Sequence, residues 1–358
     1  MIEWINRKGT AKMRSILVSL LLFTLIPTSF ARQQSTQPGS VEIAGWPEGF
    51  DRVEIRSSLD NEMQPAIFRA SASRQQKPLL VSLHSWSGDY TQKDTLAYQI
   101  AELDWNYIHP DFRGPNRTPK ACGSRFVISD IEDAIDYAQA HARVDPDQIH
   151  VIGASGGGHA TLLAYMAVKK KIRSFSAWVA ISNLVDWYWE SLGRDNKYAG
   201  EILAATSSDS SLNVAEAMAR SPYYWPWPVS LRRDAELTLY AGIHDGYTGS
   251  VPITQSLRFY NRVVREMAPG HPSALIPEHD MIELLSKRNY AASSSGGRLG
   301  GREIHYSRAL GPVRLIIFEG SHELLPDAAL QGLPITTRPA GAGRWGCNRA
   351  RLLRSAFR

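Results

Sequence analysis

Three short stretches of the 358-residue chain carry side chains able to act together on an electrophilic carbon. The first is Val151-Ile152-Gly153-Ala154-Ser155-Gly156-Gly157-Gly158-His159, a Gly-x-Ser-x-Gly motif set between an apolar run (149–152) and a helix-like run (161–170). A strand turning sharply into a helix lifts one side chain clear of the sheet, and glycine on both sides relieves the crowding of that turn. The amide after the serine then faces the point where negative charge develops, near the positive end of the helix. A serine hydroxyl is a poor nucleophile near neutral pH, so it needs a base in hydrogen-bond reach and an acid to orient that base. Asp245, in Gly242-Ile243-His244-Asp245-Gly246, and His322, in Glu319-Gly320-Ser321-His322, each follow an apolar strand-like run. They stand in the order serine, acid, histidine that such a topology requires. Ser155 is read as nucleophile, His322 as proton carrier, and Asp245 as the group that sets the imidazole tautomer. Singly these residues also suit a surface loop, a hydrogen-bonded histidine and an Asp-Gly turn; order and placement together favour catalysis.

Other histidines compete less well. His159 lies one helical turn past Ser155 and is led away by its helix, and His244 points to the opposite face from Asp245. His279-Asp280 falls in a polar stretch. Stabilising an oxyanion takes two amides: Gly156 supplies one, and the loop after the first buried strand, His84-Ser85-Trp86-Ser87-Gly88, supplies the other. Trp86 is the candidate there, with Ser85 as fallback, and the Trp86 ring would also shape an acyl pocket. No Cys–His spacing suggests zinc, and no cofactor or metal is expected.

These residues need a frame. Apolar runs at 79–84, 105–110, 149–152, 175–181, 235–243 and 313–318 read as strands, and helical spacing covers 91–103, 129–142, 161–170 and 252–267. Strand-helix alternation predicts an α/β fold with a mainly parallel sheet covered by helices on both faces. Stretches before Ala70 read as edge or hairpin strands. An aromatic-rich insert, 183–234, interrupts the alternation before the strand that carries Asp245 and would lie over the carboxyl edge of the sheet, where ligands bind. Its Trp187, Trp189 and Trp225, with Trp86, are read as substrate-binding planes for a sugar ring or an acyl group. The competing reading makes them the insert's own core. A long polar stretch follows 267, and no internal repeat is evident.

Composition is ordinary for a globular protein, 43% hydrophobic and 21% charged. Net charge is +5, but only arginines and no acids follow Asp327, so the basic excess sits in a tail and nucleic acid is excluded as a partner. Lys8, Lys12 and Arg14, the apolar run from Ile16, and Ser29-Phe30-Ala31 compose a secretory signal peptide, 1–31. A start at Met13 would give it tidier proportions. A flexible leader, 32–40, precedes the catalytic domain, 41–331, and a basic tail, 332–358, reads as disordered. The protein is expected to be secreted or periplasmic, with no membrane association after cleavage. Cys122 and Cys347 allow one disulfide without requiring it.

With those residues placed, the chain resembles the α/β-hydrolase superfamily, and within it the catalytic domain of the prolyl oligopeptidase family and related secreted esterases, over about 75–330. The carriers are Gly153-Ala154-Ser155-Gly156-Gly157, Pro110-Asp111-Phe112-Arg113-Gly114, Gly242-Ile243-His244-Asp245-Gly246 and Glu319-Gly320-Ser321-His322. His84-Ser85-Trp86 stands where family members often show His-Gly-Gly, which bears on the oxyanion donor. Too little chain precedes Leu79 for the family's β-propeller. The resemblance implies an acyl-enzyme mechanism, on a small-molecule or polysaccharide-linked carboxylic ester. The alternative is a serine peptidase, for which Glu190 and Glu201 would anchor an amino terminus. A third reading is a non-catalytic binding module.

Overall fold

The computed structural model describes residues 43–289 and 297–336. The signal peptide, the leader, most of the basic tail and Cys347 lie outside the described residues.

In chain order the elements are β1 (Asp51–Arg56), β2 (Met63–Arg69), β3 (Lys77–Leu83), α1 (Leu96–Glu102), β4 (Asn106–Pro110), α2 (Arg125–His141), β5 (Val144–Ala154), α3 (Gly156–Ala167) and β6 (Ser174–Trp178). The insert follows as α4 (Leu184–Gly193), α5 (Tyr198–Ala205), α6 (Val214–Ala219) and α7 (Val229–Arg232). Then come β7 (Glu236–Gly242), α8 (Thr254–Met267), α9 (Glu278–Lys287), β8 (Arg298–Leu299), β9 (Arg302–Leu310), β10 (Val313–Phe318) and α10 (Pro326–Gln331).

The strands form one sheet in the order β1-β2-β4-β3-β5-β6-β7-β10-β9-β8. Neighbours from β4 through to β10 pair in parallel, and the outer pairs on both sides are antiparallel. The chain therefore has an α/β-hydrolase fold. From β3 the chain steps outward to β4 and then back past β3 to β5, so the sheet reverses direction between β3 and β5. The loop after β3 and the turn after β5 thus emerge side by side on the carboxyl edge, where α/β sheets bind ligands.

Burial explains the strand runs. Leu79, Leu80 and Val81 of β3 and Val151 and Ile152 of β5 are fully buried, as expected where helices cover both faces. Each such side chain contributes about 1.5–3 kcal/mol when taken out of water. Helix α3 is buried from Gly156 through Met166, because it lies between the sheet and the insert, where Tyr223 and Trp225 join the same core.

Two expectations need correction. The strand expected to run to Ile181 ends at Trp178, since Val179 takes φ 43°, which a strand cannot accommodate. The polar stretch after 267 is not featureless: it holds α9, β8 and β9. Strand β9 is masked in sequence by its arginines, yet Ile304, His305 and Tyr306 are buried against the sheet. Charge of this kind on the exposed positions is typical of strands near a sheet's edge.

Candidate active site

Ser155 sits between β5 and α3 at φ 59°, ψ −118°, a conformation few side chains adopt. Its amide donates to Trp178 O at 2.9 Å, and its carbonyl accepts from His159 N at 2.9 Å. The surrounding glycines permit this turn because backbone passes where a side chain would be. A Cβ on Gly153 would lie 2.3 Å from Gly157 O, and one on Gly157 would lie 2.1 Å from Leu83 O. The turn has the geometry of a nucleophile elbow, with Ser155 half-buried at the sheet edge.

The loop after β3 lies against it. A Cβ on Gly156 would lie 2.3 Å from the Trp86 nitrogen, so the two candidate oxyanion amides are neighbours. The Ser85 carbonyl accepts from Gly88 N at 3.1 Å and faces His84 Nδ1 at 2.9 Å. In a trans peptide the Trp86 N–H points the opposite way. The Ser85 amide donates to Gln92 Oε1 at 3.0 Å, whereas no acceptor for Trp86 N–H occurs among the described residues. Trp86, not the fallback Ser85, is the amide left available. His84, stacked on Phe112 at 3.8 Å, is fully buried, and burial holds its pKa below the usual value.

Asp245 and His322 are brought together. His322 Nδ1 donates to Asp245 Oδ2 at 2.7 Å, while Asp245 Oδ1 accepts from Gly246 N at 2.9 Å and Val251 N at 3.0 Å. With all three contacts the carboxylate is buried and fixed, and the imidazole keeps 22% exposure. Ser155, Asp245 and His322 follow β5, β7 and β10 on one edge of the sheet; no hydrogen bond joins Ser155 to His322 among the described residues.

The rejected histidines have other employment. His159 is fully buried with Nδ1 at 2.9 Å from Ile181 O, and burial lowers its pKa to about 4. His244 Nε2 and His305 Nε2 donate to the two oxygens of Glu319, at 3.0 and 2.7 Å. Asp280 accepts from Tyr306 Oη at 3.0 Å. Cys122 is buried, and burial pushes its thiol pKa up to about 12. Among the described residues no cluster of ligating side chains could hold a metal.

The aromatic planes divide. Trp187 is fully buried and its Nε1 donates to Ser250 O at 3.0 Å, which takes it out of a ligand's reach. The Trp86 ring is buried edge-on to Trp187 at 4.7 Å, with Nε1 on Glu201 Oε2 at 2.7 Å, so it is the backbone of Trp86 that faces the site. Trp225 is half-buried against the main core, with Nε1 on Ala219 O at 3.0 Å. Trp189 alone of the four is open, at 58% exposure. The insert's apolar residues form their own core, with Ile181, Leu184, Ile202 and Ala217 packed around these rings. That core explains the correction for Trp187 and for the Trp86 side chain.

With this geometry in place, the comparisons with known proteins are informative. The model of the prolyl oligopeptidase family matches residues 124–278, which include Ser155 and Asp245. A Pyrococcus horikoshii acylaminoacyl peptidase superposes with a TM-score of 0.50 at 17% identity, covering 62% of this chain and 36% of that one. A puromycin-hydrolyzing peptidase of Mycobacterium tuberculosis does so with a TM-score of 0.52 at 13% identity, covering 79% and 38%. The chain thus spans less than two-fifths of either structure's length, and at these identities the likeness is one of fold. No curated protein matches. The fold is that of the α/β-hydrolases, and the site sets a serine, a histidine and an aspartate on one edge of its sheet. Over residues 124–278 the chain is similar to the prolyl oligopeptidase family.

Proposed function

We propose that the protein hydrolyses carboxylic esters through an acyl-enzyme on Ser155. The observation that carries this reading is the fixed His322–Asp245 pair on the same sheet edge as an elbow serine. His322 Nε2 takes the proton as Ser155 Oγ attacks the acyl carbon. The developing oxyanion accepts from the amides of Gly156 and Trp86, and the positive end of α3 favours it. Collapse expels the alcohol oxygen, which receives the proton from His322. Water then repeats the sequence to release the acid. Asp245 steadies the imidazolium that forms each time.

Ester is preferred to peptide because Glu190 and Glu201, the two carboxylates that would anchor an amino terminus, are both engaged. Glu190 accepts from Thr254 Oγ1 and Gln255 Nε2, both at 3.2 Å, and burial raises its pKa. Glu201 accepts from Trp86 Nε1 and pairs with Lys197 at 3.3 Å. Support for an acylated carbohydrate rests on Trp189, exposed on α4. The export signal at 1–31 is part of the same reading, and protein recovered outside the cytoplasm should begin at Arg32. The deciding test compares p-nitrophenyl acetate and acetylated or feruloylated sugars with aminoacyl anilides, wild type beside Ser155→Ala. Ester turnover that disappears in the variant supports the proposal. Faster anilide cleavage would make the protein a peptidase, and equal feeble rates in both proteins would make it a binding module.

A further inference from the structure

The loop that follows β7 carries Asp245 and is held in part by its own bonds: Asp245 N donates to Gly242 O at 3.0 Å, and Tyr247 N and Thr248 N donate to His244 O at 3.1 and 3.0 Å. Gly246 takes φ 83° with Pro252 packed where a side chain would stand, and Tyr247 and Thr248 are exposed, with Thr248 Oγ1 2.7 Å from Ser321 Oγ. The loop lies directly on the acid–base pair: a Cβ on Gly249 would lie 2.2 Å from Asp245 Oδ1 and 2.7 Å from His322 Cβ. The loop amides Gly246 N and Val251 N occupy Asp245 Oδ1 and so leave Oδ2 for His322.

The rest of what holds the loop comes from the insert. Arg194, at the carboxyl end of α4, donates through Nη1 to Gly246 O at 3.2 Å and Gly249 O at 2.9 Å, and through Nη2 to Ser250 O at 2.7 Å. Its Nε donates to Glu190 O at 3.1 Å, which ties the same guanidinium to its own helix. Trp187, also on α4, adds Nε1 to Ser250 O at 3.0 Å. All of these acceptors are neutral carbonyls, and among the described residues no carboxylate lies within salt-bridge distance of Arg194. The guanidinium is therefore used for its planar fork of donors, which a lysine ammonium cannot reproduce.

We propose that Arg194 is a positioning residue for the acid–base pair, acting from the insert through the backbone of the acid loop to set where Asp245 meets His322. This rests on the reading of Ser155, His322 and Asp245 as a triad. It gives the insert a part in catalysis separate from any substrate contact.

Arg194→Met and Arg194→Lys, made in the full chain, test it with two readouts. The first needs no turnover: His322 is titrated by NMR in a Ser155→Ala background. Arg194→Met is expected to change that titration, because a displaced carboxylate no longer meets the imidazole as in the wild type. The second is kinetic, on a p-nitrophenyl ester with Ser155 intact. There kcat should fall about tenfold to a hundredfold with KM within about threefold, and the acid limb of the profile should move with the titration. Arg194→Lys should fall between wild type and Arg194→Met. Trp187→Phe, which removes a single bond to Ser250, should shift both readouts slightly in the same direction and serves if Arg194→Met does not fold. A His322 titration that Arg194→Met leaves unchanged, or a kcat within twofold of wild type, overturns the proposal. Full activity in Ser155→Ala would instead defeat the triad reading, while the titration would still decide whether Arg194 governs the Asp245–His322 contact.

Discussion

The turn that carries Ser155 and the loop that carries Asp245 leave the same edge of the sheet, yet they are held by different means. The turn is held locally. Its bonds run to the neighbouring strand and the next helical turn, and its shape follows from backbone packed on backbone at Gly153, Gly156 and Gly157. The acid loop has bonds of its own but is also held from a distance, by Arg194 and Trp187 of the insert. The same device recurs where the insert meets the rest of the frame. Arg220 Nη1 donates to Ala121 O at 2.9 Å. The fully buried Arg232 donates through Nη2 to Ala164 O at 2.9 Å at the carboxyl end of α3, where a cation complements the negative end of the helix dipole, although burial lowers its pKa to about 10. A site held by backbone tolerates no added atoms. A site held by remote side chains tolerates change but loses alignment.

The largest effect should come from the acid itself. Asp245→Asn keeps the loop's shape but favours the wrong imidazole tautomer, so kcat should fall about ten-thousandfold while the thermal midpoint stays near wild type. An effect below about tenfold would mean that the bond to His322 is ornamental. Next is the elbow. Gly157→Ala places a methyl 2.1 Å from Leu83 O, which belongs to β3 and cannot retreat; a loss of about 3 kcal/mol in urea unfolding is expected. A variant as stable as wild type would show that β3 and α3 are not packed as described. The smallest effect has the opposite sign. Ser155→Gly abolishes turnover yet relieves the positive φ, and should raise stability by about 1 kcal/mol. Lower stability would show that the elbow stores no strain.

The difference between the two regions also explains what could be read from the residues alone. The elbow is a local pattern, so Ser155, its glycines and the strand before it were legible, as were Asp245 and His322 at the ends of apolar runs. What favours Trp86 over Ser85 lies in Gln92, whose side chain occupies the Ser85 amide. Trp187 and Trp189 are two positions apart and look alike in sequence. One fills the insert's core and serves Ser250, and the other faces solvent, a distinction made by helix phase against a partner. Arg194 gave no signal, since nothing local marks an arginine whose acceptors lie some fifty residues onward. The arginine-rich β9 and the helix α9 were hidden for a related reason, because their burial depends on neighbours remote in the chain.

The central claim is that Ser155 is the activated nucleophile. A fluorophosphonate transfers its phosphonyl group to such a serine with loss of fluoride, and the site is then read by peptide mass mapping. The account predicts one adduct per chain on the peptide containing Ser155, none in Ser155→Ala, and labelling slowed by about a thousandfold or more in His322→Ala. No adduct in the folded wild-type protein, or an adduct on another residue, would contradict it.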